Sequence, residues 1–127
     1  MERKVIYQGE DTEFIFNCLN EGEPLDERVM KNLDFGCCLY TNKWDPILMS
    51  TMDGFGNKTF ENGLVQLVKE GAELKGLVPF NETSKLKPGF VQLEVMVRFP
   101  AGWRTIGIYE KICEVLPCHV KNFDFEQ

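Results

Sequence analysis

The stretch that most constrains this chain runs from Lys85 to Phe99, KLKPGFVQLEVMVRF. After Pro88-Gly89 the odd positions are Val91, Leu93, Val95, Val97 and Phe99, all apolar. The even positions are Phe90, Gln92, Glu94, Met96 and Arg98, mostly polar or able to reach water. A period of two held this long predicts a strand with one dry face. Such a strand needs paired neighbours and an opposing layer, and the rest of the chain is read as supplying both.

Several other segments carry the same signal. Val5–Tyr7 reads as a short opening strand before Gly9. In Thr12–Leu19, Phe14, Phe16 and Cys18 share one face, and the turn formers of Asn20–Pro24 close the strand. Leu33–Thr41 turns Leu33, Phe35, Cys37 and Leu39 inward. Ile47–Met52 is an extended apolar run. Leu64–Val68 and Glu73–Val78 form a hairpin, because Gly63, Gly71 and Gly76 disfavour a helix there at about 1 kcal/mol each. Trp103–Ile112 alternates again, and Cys113–Val120, interrupted by Pro117, reads as a final edge segment. Leu25–Asn32, opened by Pro24, and the stretch from Asn81 predict one or two short helical turns. Asp53–Asn57, a Phe between two glycines, predicts a mobile loop. Phe123 and Phe125 stand in an acidic tail able to dock.

Seven to nine short strands without βαβ spacing predict an all-β, antiparallel, immunoglobulin-like sandwich. With 127 residues, a single domain spanning 1–127 is expected, with 1–4 and 121–127 as frayed termini. The disulfide pin of an antibody-type domain is not expected. Cys18 stands on one candidate strand, but Phe90–Phe99 has no cysteine to meet it.

Composition bears on function by exclusion. A net charge of −6 argues against non-specific nucleic-acid binding. No segment approaches the roughly 18 apolar residues of a membrane-spanning helix. The charged N-terminus, MERKVIYQGED, lacks the apolar core of a signal peptide. Five cysteines without an export signal predict free thiols in a reducing compartment.

Candidate chemistry is sparse. Cys113-x4-Cys118-His119, with Cys37-Cys38, misses the usual zinc spacing, and adjacent cysteines on a strand point opposite ways. No Cys or Ser lies in a nucleophile signature, the acidic residues fall in loops, and no glycine-rich loop opens a helix. Neither catalytic nor metal nor cofactor residues are therefore assigned. Trp44, Phe55 and Trp103 are the aromatics expected at loops or strand starts, and they are the candidate partner contacts.

The layout also resembles a known family. Gln8-Gly-Glu-Asp-Thr12 leads into an aromatic strand and then into Gly22-Glu-Pro-Leu-Asp26. Gly76-Leu-Val-Pro79 and Thr83-Ser-Lys-Leu-Lys-Pro-Gly89-Phe90 follow, before a Val/Leu strand. These turns resemble the immunoglobulin-like N-terminal domain of phage baseplate upper proteins over roughly Val5 to Ile112. The sequence departs from the family pattern at the extra Glu10, at Phe90 in place of Tyr, and in the charged insert after Pro24. The resemblance implies a non-catalytic structural role in a phage or prophage tail or baseplate. Its partners would be copies of itself or other tail subunits, with synthesis in a bacterial cytoplasm and a final place in a virion or tail-like particle. The competing expectation is a carbohydrate- or protein-binding module of a bacterial surface.

Overall fold

The computed structural model describes residues 4–17, 19–20, 23–24 and 26–116. The protein is all-β with two short helices. Its strands are β1 (Lys4–Tyr7), β2 (Thr12–Asn17), β3 (Leu19–Asn20), β4 (Glu23–Pro24), β5 (Phe35–Tyr40) and β6 (Ile47–Ser50). They continue with β7 (Val65–Glu70), β8 (Glu73–Val78), β9 (Gly89–Phe99) and β10 (Gly102–Leu116). The helices are α1 (Glu27–Lys31) and α2 (Phe80–Thr83). Eight strands form one nearly closed sheet in the order β1-β10-β9-β5-β6-β7-β8-β2, and β3 and β4 make a separate small hairpin.

The alternation in β9 is realised as read. Val91, Leu93, Val95 and Val97 are each at most 3% exposed, while Phe99, at the strand end, is 39% exposed. β9 lies between β10 and β5, so its dry face is continued on both sides by β5's Phe35, Cys37 and Leu39 and by β10's Cys113 and Val115. Phe14, Leu67, Leu74 and Val78 come from β2, β7 and β8 to the same cluster. The sheet thus curls over one core.

The expected all-antiparallel pairing is not what forms. β1 runs parallel to β10, Lys4 opposite Cys113 and Tyr7 opposite Leu116, and β6 runs parallel to β7 at Met49–Val65 and Ser50–Gln66. Chain length explains the second case. Parallel neighbours need a crossover of about a dozen residues or more, and residues 51–64 supply it.

That crossover is packed, contrary to the mobile loop expected at Asp53–Asn57. Phe55 is 6% exposed, in a second cluster with Leu48 and Leu64 on the outer side of the sheet. Phe55 and Lys58 exchange backbone hydrogen bonds, both 3.0 Å, and Asp53 Oδ1 accepts the Phe60 N–H at 2.8 Å. Gly56 (φ 59°) and Asn57 (φ 67°) adopt the left-handed turn between them. Gly36 makes the room: a Cβ there would lie 2.7 Å from the Phe55 ring. The glycines serve a tight turn and a close approach, not mobility.

Both helical turns form. Asp26 caps α1 by accepting the Arg28 N–H at 2.8 Å. Lys69 Nζ of β7 reaches the other end and donates to the carbonyls of Met30 (2.9 Å), Lys31 (3.3 Å) and Leu33 (2.8 Å). α2 is tied to the β1–β2 turn. The Phe80 N–H donates to Asp11 Oδ1 at 2.7 Å, and the Thr83 hydroxyl donates to the Glu10 carbonyl at 2.8 Å.

Candidate functional site

The three aromatic candidates do not converge on one site. Trp44 stands on the turn before β6, its N–H bound to Asn42 Oδ1 at 3.0 Å and its side chain 89% exposed. Phe55 is inside. Its ring meets Trp103 edge-on, with centroids 4.7 Å apart at 65°, and the Arg98 guanidinium lies 5.9 Å from the Trp103 ring centroid. Trp103 is half-buried on that outer face. Phe55 and Trp103 are thus a structural pair that steadies the crossover loop, and Trp44 alone offers a wholly accessible ring.

The adjacent cysteines of β5 do point opposite ways. Cys37 is in the core, and Cys38 is a half-buried free thiol on the outer face, paired across the sheet with Glu94. Burial, and then the Glu94 carboxylate, push the Cys38 thiol up to about 11. Nearby, the Tyr40 hydroxyl donates to Glu94 (3.3 Å) and Gln92 (3.4 Å), and burial followed by the Glu94 charge raises its pKa too. A thiol held protonated is a poor nucleophile. Cys38 is therefore expected to alkylate with iodoacetamide at pH 7.4 about a hundredfold more slowly than in the unfolded chain, whose thiol titrates near 9.0. Its rate should climb with pH toward about 11, and peptide mass spectrometry of Cys38 reads both. The same shift lowers stability at high pH. The folded thiol keeps a proton that the unfolded chain releases above about 9, so its contribution is intact below that pH and fades as pH rises through about 11.

Cys18, Cys118 and His119 lie outside the described residues, as do Phe123 and Phe125. Among the described residues no three His, Cys, Asp or Glu side chains gather closely enough to hold a metal ion. No described helix is long and apolar enough to cross a membrane.

A cavity of about 300 Å³ opens between β2 and the β9–β10 pair, lined by Phe14, Phe16, Leu93, Tyr109, Ile112 and Cys113 among others. Its origin is a slip in β10. Tyr109 faces Leu93 and Cys113 faces Val91, so four steps on β10 match two on β9 and the strand bows outward. Tyr109 leans back over Gly107, where a Cβ would lie 2.9 Å from the ring. A smaller slip sets Thr105 opposite Met96 and Gly107 opposite Val95. It leaves Ile106 extra, and 39% exposed. The sequence shows Trp103–Ile112 only as one alternating run. Gly107 two residues before an aromatic is the single local sign that the run is interrupted.

The outer surfaces carry large apolar side chains. Ile15 (48%), Val68 (53%) and Leu77 (64%) are exposed on the β2–β8–β7 side, and Ile108 (59%) joins Ile106 on β10.

No protein-family model, curated protein or solved structure matches this chain.

Proposed function

We propose that this chain is a non-catalytic interaction domain of a phage or prophage tail or baseplate-type assembly, with an immunoglobulin-like strand layout. One observation carries the reading. Two of the four turn segments on which the family resemblance rests, Gln8–Thr12 and Thr83–Gly89, lie against each other at the start of the fold. Gln8 Nε2 donates to the Leu86 carbonyl at 2.8 Å, and Thr83 donates to the Glu10 carbonyl at 2.8 Å. Residues far apart in the chain thus form one latch, which gives the shared turn chemistry a common physical purpose. The strand order supports the same layout: β10-β9-β5-β6 packs over β7-β8-β2, with β1 switching to pair beside β10.

In this role the domain is made in a bacterial cytoplasm and joins a particle through its exposed apolar side chains. The test is a thermal-shift titration against the proteins encoded by the genes beside it, together with sedimentation of the chain alone. Self-association, or a melting temperature that rises with one of those proteins, supports the proposal. A monomer whose melting is unmoved by all of them overturns it.

The second reading, a carbohydrate- or protein-binding module of a bacterial surface, is favoured by Trp44 alone, since an open indole can stack on a sugar ring. Glycan-array binding that disappears in Trp44→Ala would select it.

A further inference from the structure

We propose that the outer face of β9 and β10 joins two copies of this chain in antiparallel fashion across a two-fold axis, Arg98 of each meeting Glu110 of the other. The inference rests on the interaction-domain reading and names its interface and partner.

Alternation assigns the face. With Val91, Leu93, Val95 and Val97 buried, β9 turns Phe90, Gln92, Glu94, Met96 and Arg98 to the outer side, where Met96 is half-buried against the Phe55 cluster. On β10, Trp103 stands beside Arg98, Thr105 beside Met96 and Ile108 beside Glu94, and Glu110, at the start of the second slip, is near enough for its charge to act on Tyr40, the partner of Glu94. The result is a graded ladder. One end is cationic, with Arg98 exposed beside the Trp103 ring. The middle is apolar, with Ile106 39% and Ile108 59% exposed. The other end is anionic, with Glu94, the exposed Glu110 and then Glu114, which pairs with Phe90. The slip between Thr105 and Gly107 adds an outward isoleucine at the middle, where a regular strand would have none to spare.

Among the described residues no ion pair neutralises the anionic end. The ion pairs among the described residues, Lys75–Glu70 and Lys85–Glu82, lie elsewhere. Among the described residues Glu94 accepts only the long bond from the Tyr40 hydroxyl, 3.3 Å. Behind their burial, the Glu94 charge is felt by both Tyr40 and Cys38, and Tyr40 also feels Glu110.

A purely acidic apolar face would call for a basic partner. This ladder carries both signs, about 13 Å apart from Arg98 to Glu94 at about 3.3 Å per residue. Its own copy, turned end for end about the isoleucines, therefore complements it. The parallel arrangement sets arginine on arginine and carboxylate on carboxylate. Each chain carries a net charge of −6, which repels its copy at long range. Local pairing must therefore select the orientation.

The experiment is sedimentation velocity of the full chain from about 1 to 500 µM, with Arg98→Glu and Glu110→Arg made singly, mixed, and combined. These sites are exposed, and circular dichroism and thermal melting confirm that each variant folds. The wild type is expected to dimerise. Each single reversal is expected to weaken the dimer about tenfold or more, because like charges then meet at both symmetry-related contacts. An equimolar mixture of the two single variants, and the double variant alone, should restore it. Ile108→Ser should weaken the dimer without charge rescue. A dimer indifferent to all three substitutions overturns this interface while leaving self-assembly intact. A wild type that stays monomeric throughout also overturns it, and the thermal-shift titration with the proteins of the neighbouring genes then decides the function reading separately.

Discussion

Phe35→Ala is expected to destabilise the protein by about 3–5 kcal/mol, the range for deleting a fully buried aromatic ring. Phe35 is completely buried on β5, between β9 and β6, and faces Val97 across the sheet. Its backbone is also fixed: the Phe35 N–H donates to Thr51 Oγ1 and the Thr51 N–H donates to the Phe35 carbonyl, both at 2.9 Å. With backbone held on both sides, the walls have little freedom to close over the void, so the cavity cost adds to the lost transfer energy. Against a typical total of about 5–15 kcal/mol, that loss should lower the melting temperature by about 10–20 °C. Urea unfolding measures the free-energy loss and thermal melting the temperature shift, both followed by circular dichroism. A shift of a degree or two would mean the core is not organised around β5.

Lys69→Met is the second large effect, and the less obvious one. A single ammonium accepts the work of a helix C-cap, donating to three carbonyls at the end of α1 and just beyond it. The Met30 and Lys31 oxygens form the negative end of the helix dipole, and hydrogen bonds to a charged donor are stronger than neutral ones. Methionine keeps the stem's packing and removes all three donors, at an expected cost of about 2 kcal/mol. The effect should be local first. The Asn32 and Leu33 N–H groups, bound to the Val29 and Met30 carbonyls, should exchange with deuterium markedly faster than those of β9. Equal exchange in variant and wild type would show that Lys69 does not hold this end.

What could be read from the chain alone follows from which forces are local. The period of two in Phe90–Phe99, the hairpin about Gly71 and the helical turn after Pro24 all come from neighbouring residues, and all three form. The direction of pairing is a different matter. β1 and β10 are about a hundred residues apart, and no adjacent side chain records that they run the same way. The crossover at residues 51–64 had a local clue in its length, but the Gly-Phe-Gly signal within it pointed the other way. The same glycines suit a loose loop and a close-packed turn, and only the groove over Gly36 decides between them. That is why Phe55 looked accessible and is buried. Trp44 was legible because turn formers surround it. The β10 slips, which make both the cavity and the outward Ile106, arise from register against β9 and leave little trace in the order of residues.

The parallel pairing of β1 with β10 has a mechanical consequence. Pull on the chain at its two ends and the forces run oppositely along these neighbouring strands, from Lys4 on one and Leu116 on the other. The rungs between them are then strained sideways and together, instead of being peeled apart one after another like a zipper. A domain wired this way resists stretching better than one whose terminal strands unzip.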